Sequence, residues 1–187
     1  MMKWLLIAGA FSCFASFLWS IRYFFKSSDK LSGGMKGVAF FGALFMVWQM
    51  GLLLFSPAKN GWGLVALPLY FSSLALFWWA IRVNLHKPLT YAYDLDQPQH
   101  LVQEGPYRYL RHPFYTAYSL TWMAGVLATD EPWLLLSVLV MGLLYRKAAL
   151  QEEKKFISSP LGADYQRYRA QTGMFLPRLF GSKNLAS

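Results

Sequence analysis

Two polar clusters interrupt an otherwise apolar chain. One is Gly105-Pro106-Tyr107-Arg108-Tyr109-Leu110-Arg111-His112-Pro113-Phe114-Tyr115, and the other is the pair Glu152-Glu153. Proline suits the first turn of a helix, where its missing N–H would be unpaired in any case, so Pro113 predicts a helix start. Arg111 and His112 then flank that start, where open backbone N–H groups and the helix dipole favour an anion. Tyr107, Tyr109 and Tyr115 add flat faces and hydroxyls. The group forms a cradle for a nucleotide-like ligand carrying a carboxylate. Its plainer alternative is an interfacial anchor, with arginines and tyrosines at headgroup level. Glu152 and Glu153 follow Arg146 and Lys147 by about one to two helical turns. On a continuous helix Arg146 falls near Glu153 at i, i+7, and Lys147 is less well aligned. Most such pairs are a solvated charged helix end. Placed beside the cradle, however, one carboxylate would accept hydrogen bonds from ribose hydroxyls or from an ammonium group.

The remaining polar residues offer less. His86 ends an apolar run and His100 lies in a polar loop, both as surface residues, and the histidine spacing is not that of a metal site. Cys13 is the single cysteine, which excludes intramolecular disulfides and cysteine-based zinc clusters. It reads as a small packing residue. A cleavage signal at Ala10-Phe11-Ser12-Cys13 is poorly formed, because Phe11 is bulky and the apolar run continues to Ile21; a retained helix fits better. Neither a glycine-rich phosphate loop nor a Gly-x-Ser-x-Gly elbow occurs. Gly33 and Gly37 have small-xxx-small spacing but fall in a predicted loop. Asp94 to His100 reads as a turn. Phe77-Trp78-Trp79 reads as packing or lipid contact, with lining of an entry for a greasy substrate as its functional alternative.

The elements that position these clusters are membrane spans. The chain has 187 residues, one domain by length, and is 56% hydrophobic, 18% aromatic and only 14% charged. That is too apolar for an ordinary soluble domain. Its net charge of +9 does not mark a nucleic-acid partner, because the basic residues sit at the ends of apolar runs. The fold class is therefore an all-α integral membrane protein, a single membrane domain over 1–187. Five crossings are predicted: about Trp4 to Phe25, Gly37 to Phe55, Trp62 to Val83 with a kink at Pro68, Pro113 to Ala128, and Trp133 to Tyr145 or a little beyond. Thr129-Asp130-Glu131-Pro132 makes the last two a helical hairpin. Of the 18 Lys and Arg residues, all but Lys3 and Lys59 fall on one side. The positive-inside rule makes that side cytoplasmic, with the N-terminus outside and the C-terminus inside. Trp4, Trp62 and Trp133 mark the outer ends as an aromatic belt. Both polar clusters then share the cytoplasmic face, at the two open ends of the hairpin, within reach of a cytosolic cofactor.

These residues resemble the integral-membrane methyltransferases typified by isoprenylcysteine carboxyl methyltransferase, with relatives among phospholipid methyltransferases. The resemblance is carried by Gly105-Pro106-Tyr107, Arg111-His112-Pro113-Phe114-Tyr115, Glu152-Glu153, Gly162-Ala163-Asp164-Tyr165-Gln166-Arg167-Tyr168 and Pro177, in that order. It implies S-adenosylmethionine as methyl donor, in a cytoplasmic pocket formed by the C-terminal half (87–187), with a three-helix part (1–86) helping to shape the acceptor site. By position, Gln99, His100, Leu101, Val102, Tyr107, Arg111, His112, Pro113, Phe114, Tyr115, Glu152 and Glu153 would hold the cofactor. His112, Glu153 and Arg146 are the implied catalytic residues, Arg146 orienting the acceptor. The implied acceptor is a lipophilic small molecule or a prenylated substrate drawn from the bilayer of a bacterial inner membrane. A carboxylate acceptor needs no base, whereas a thiol or amine must lose a proton first, which would give His112 or a glutamate more to do. Two departures from the pattern stand out: Thr116-Ala117 where a glycine often follows the Arg-His-Pro-x-Tyr segment, and Ser158-Ser159-Pro160, which breaks an expected helix. Two other readings compete. One is a membrane reductase using a nicotinamide cofactor, whose members are much longer; the other is a non-catalytic scaffold or sensor with the same fold.

Overall fold

The structure is a computed structural model that describes residues 1–23, 33–56, 61–85 and 100–178. The described residues are almost wholly helical: α1 (Met2–Tyr23), α2 (Gly33–Phe55), α3 (Gly63–Asn84), α4 (Pro113–Thr129), α5 (Leu135–Ile157) and α6 (Gly162–Gln171), with 3-10 turns at Gly105–Arg108 and Pro132–Leu134. Among the described residues no strand occurs, and one isolated parallel bridge joins Leu110 to Gly173.

The first three helices are apolar on nearly every side. Along α2, Phe45 and Leu53 are buried while Phe40, Leu44, Val47 and Leu54 are exposed. A soluble helix would carry charge on the outer face, and an outer face this apolar needs lipid. The inner faces follow the helical spacing of three to four residues: Leu6, Ala10, Cys13 and Phe14 on α1, and Ala66, Tyr70, Ser73 and Phe77 on α3. The all-α membrane architecture expected from the sequence is thus what the chain adopts.

Among the described residues, four helices of at least 18 residues are long and apolar enough to cross a bilayer: Met2–Tyr23, Lys36–Phe55, Gly63–Asn84 and Pro132–Ile157. The fifth expected crossing, α4, has 17 residues, at the short limit for a crossing. Its length is cut at both ends by local chemistry. Pro113 occupies the first turn, and Asp130 closes the other end in the left-handed region (φ 54°), its N–H donating to the Val126 carbonyl at 2.9 Å. The compact turn and hairpin follow as predicted. Gly33 and Gly37 also differ from expectation, lying in α2 rather than in a loop. A Cβ at Gly37 would meet nothing within 4 Å, so among the described residues no helix approaches closely there. Helix α3 continues through Pro68 without a break.

Polar side chains join the helices inside the bundle. Ser73 Oγ donates to the Ala117 carbonyl at 2.7 Å and lies 2.8 Å from Thr121 Oγ1, pinning α3 to α4. The Gln49 amide of α2 donates to Tyr70 Oη of α3 at 2.9 Å. At one end, Lys3 Nζ donates to the carbonyls of Leu54 and Ser56, both at 3.0 Å, closing the last turn of α2. Exposed Trp4, Trp62 and Trp133 sit at this same end. The opposite end carries the last turns of α1 and α3, the 105–112 turn and the C-terminal part of α5.

Candidate functional site

Helix α5 does not stop near Tyr145 but runs to Ile157, so Glu152 and Glu153 ride on a rigid element. Beside them lies the start of α4, with His112 at the N-cap position. Glu153 is 2% exposed. Its Oε1 accepts from Arg111 Nε at 2.8 Å and lies 3.3 Å from His112 Nε2. Arg169 Nε, from α6, stands 3.4 Å from its Oε2. Glu152 is more open. Its Oε1 accepts from Tyr115 Oη at 2.7 Å, and its Oε2 lies 3.1 Å from His112 Nδ1. A single imidazole therefore spans two carboxylates.

The electrostatics follow from that geometry. Burial pushes the His112 pKa down, but hydrogen bonds and charge from Glu152 and Glu153 outweigh it, holding the pKa above the ordinary histidine value. The rings are layered as well: His112 stacks on Tyr115 at 5.7 Å between centroids, and Tyr115 on Tyr145 at 5.3 Å.

Hydrogen bonds with α3, α6 and the C-terminal residues fix the 105–116 segment. Tyr107 is buried; its hydroxyl accepts from Asn84 Nδ2 at 3.1 Å, and its carbonyl accepts from Tyr168 Oη at 2.7 Å. Burial pushes the Tyr168 hydroxyl up to about 12, so it remains a donor at neutral pH. Tyr165 stacks on Phe156 at 4.8 Å, clamping α6 against α5. The break at Ser158-Ser159-Pro160 is real and turns the chain into α6. A C-terminal strap then runs alongside. The Arg111 N–H donates to the Gly173 carbonyl at 2.8 Å, the His112 N–H to Met174 at 3.1 Å, and Thr116 Oγ1 to Phe175 at 3.0 Å. Arg111 also donates from its guanidinium to the Thr172 carbonyl.

The sequence candidates divide accordingly. Arg111, His112, Tyr115, Glu152 and Glu153 converge. Pro113 and Phe114 are buried behind them, Phe114 against Phe77 at 5.6 Å. Leu101 and Val102 are half-buried on the approach, and His100 is exposed. Gln99 and His86 lie outside the described residues. Arg146 is exposed on α5, and Glu153 draws its cations from Arg111, His112 and Arg169 instead. Sequence reasoning missed Arg169, Asn84 and the strap. Asn84, a polar residue closing an apolar run, was the one signal in plain view.

An apolar helical bundle with a buried ion-pair cluster at one end of a hairpin defines an integral-membrane protein with a built polar centre near the bilayer surface. Residues 62–164, more than half of the chain, match the family model for phospholipid methyltransferases. The chain belongs to that family and is a membrane methyltransferase, as its resemblance implied. No curated protein matches the sequence. The matched region runs from the start of α3 to the first turn of α6, so it contains Glu152, Glu153, Arg111, His112 and Tyr115 but neither Arg169 nor the strap.

Proposed function

We propose that the protein is an S-adenosylmethionine-dependent methyltransferase acting at the cytoplasmic face of the membrane on a lipophilic acceptor. The observation that carries this reading is the clasp of Arg111, His112 and Tyr115 on Glu152 and Glu153 at the cation-rich end of the bundle. The residues fit such a donor. Among the described residues, Glu153 Oε2 is buried with the Arg169 guanidinium beside it at 3.4 Å but no hydrogen bond, an acceptor with a lone pair left for a ribose hydroxyl or an ammonium group. Glu152 adds a second, more accessible carboxylate. Held there, such a donor would supply a methyl group from a sulfonium, whose departure as a neutral thioether asks no acid of the protein.

The chain's own task is alignment and exclusion of water, which can supply up to roughly 7–11 kcal/mol of barrier lowering. Helices α4 and α5 fix the carboxylates, and the strap holds the 110–116 segment in register. The three N-terminal helices (1–86) shape the acceptor side and the C-terminal part (87–187) holds the donor, with the N-terminus outside and the C-terminus in the cytoplasm.

Calorimetric titration of the detergent-purified protein with S-adenosylmethionine and its demethylated product tests this, followed by transfer of labelled methyl into a membrane lipid extract. Saturable binding that Glu152→Ala weakens is expected. Absence of binding by folded protein overturns the reading, and nicotinamide cofactors are then the next ligands to titrate.

A further inference from the structure

His112 presents both ring nitrogens to carboxylate oxygens: Nδ1 to Glu152 Oε2 at 3.1 Å and Nε2 to Glu153 Oε1 at 3.3 Å. A neutral imidazole has one N–H and one lone pair, so one of these contacts would set a lone pair against an anion. The bridge is satisfied on both sides only by an imidazolium. Its surroundings agree. Arg111 and Arg169 face Glu153, Tyr115 donates to Glu152, and Tyr107, Tyr165 and Tyr168 stand around the cluster as neutral phenols. His112 itself is 8% exposed, so water does little to screen it.

We propose that a cationic group binding to the Glu152–Glu153 pair expels one proton from His112, so that methyl-donor binding is coupled to proton release. This rests on the methyl-donor reading above and deepens it. In the free protein the two carboxylates face three cations: Arg111, Arg169 and the imidazolium. An ammonium group arriving within hydrogen-bond reach adds a fourth and takes part of the carboxylate charge that held the proton. Like charges in a buried site favour loss of the one that can leave, and neither guanidinium can. The Nδ1–H bond of His112 breaks and its proton passes to solvent base. The imidazole stays neutral, with Nε2–H still donated to Glu153. The ligand keeps its own ammonium protons and replaces His112 as donor to Glu152. No group is oxidised or reduced.

The coupling has a direction. Proton release makes binding tighter as pH rises toward the folded His112 pKa, and flat above it. The cofactor site is thereby weakened in acid, although neither glutamate has been neutralised.

Two measurements test this. The first needs no ligand: nitrogen-15 shifts of the His112 ring, assigned by comparison with His112→Gln, report how many ring nitrogens carry a proton at about pH 6.5, the ordinary histidine value. Both protonated is expected, and a single-proton tautomer overturns the proposal. The second is calorimetry with S-adenosylmethionine at about pH 6 in buffers of different ionisation enthalpy. The expected result is an apparent enthalpy that varies with the buffer by close to one proton per site, with affinity rising toward tenfold per pH unit, roughly the limit for a single linked proton. His112→Gln removes both dependences. Binding with no buffer dependence sinks the coupling and leaves the methyl-donor reading intact. No binding sinks the methyl-donor reading and the coupling with it, whatever the ring spectrum shows.

Discussion

At the scale of single residues, burial decides the roles. Glu153 is closed in and tied to Arg111 through nearly solvent-free contacts, both side chains being 6% exposed or less. Removing one partner of such a pair strands the other, at a cost of about 3–5 kcal/mol. Arg111→Gln is therefore expected to lower the thermal midpoint sharply in detergent. Arg111→Lys should restore only part of the loss, because an ammonium cannot reproduce the fork that reaches both Glu153 and the Thr172 carbonyl. His112 gives a pH signature in the ligand-free protein. Its folded pKa lies above the ordinary value of 6.5, so the stability it contributes is fully present below that pH and is lost as pH rises through the folded value. Thermal melts should show stability falling across that window in the wild type, by no more than about 1.4 kcal/mol per pH unit for one proton. In His112→Gln that slope should vanish.

At the scale of elements, the 105–108 turn must pass close against α3, and glycine permits this. Gly105 has φ +56°, and a Cβ there would stand 2.5 Å from Val83 Cγ2 and 3.0 Å from Trp79 Nε1. Gly105→Ala combines a left-handed backbone with overpacking, a penalty of about 1–3 kcal/mol. Because Tyr107 and the path to Arg111 hang from this turn, the variant should also weaken donor binding in the calorimetric titration. Loss of stability with unchanged affinity would show that the turn does not set the site. What the sequence revealed about these elements follows from how local each signal is. Pro113 and the Asp130–Pro132 turn act within a few residues, so both ends of α4 could be read directly. The end of α5 could not, since the charges after Tyr145 mark where lipid stops, and a helix has no need to stop there. The i, i+7 spacing of Arg146 and Glu153 pointed to a local pairing. Arg111 and Arg169 take Glu153 instead, and contacts so distant along the chain leave no spacing to read.

For the whole molecule, the question is how the N-terminal helices are keyed to the half that carries the cluster. One point of contact bears much of the answer. A Cβ on Gly125 of α4 would lie 2.2 Å from the amide carbon and oxygen of Gln49 on α2, so the amide lies flat on the glycine backbone. That same amide donates to Tyr70 of α3, and its Oε1 has no hydrogen-bond partner among the described residues. Three helices therefore meet at a polar group 1% exposed. Amide hydrogen bonds between membrane helices are worth about 1–2 kcal/mol or less, so this one sets register more than it sets stability. Gly125→Ala forces the amide away from its seat and is expected to cost about 1–3 kcal/mol by overpacking. Gln49→Ala loses the bond to Tyr70 but also removes a buried oxygen that lacks a partner, so its own cost should be small. If the two side chains compete for one space, the double variant is more stable than the sum of the single losses, by at least about 0.5 kcal/mol, the lower bound for residues in contact. Thermal or denaturant melts of the four proteins close that cycle. Strict additivity would mean that α2 and α4 are not keyed here, and that the α1–α2 pair is free to shift against the helices that hold the site.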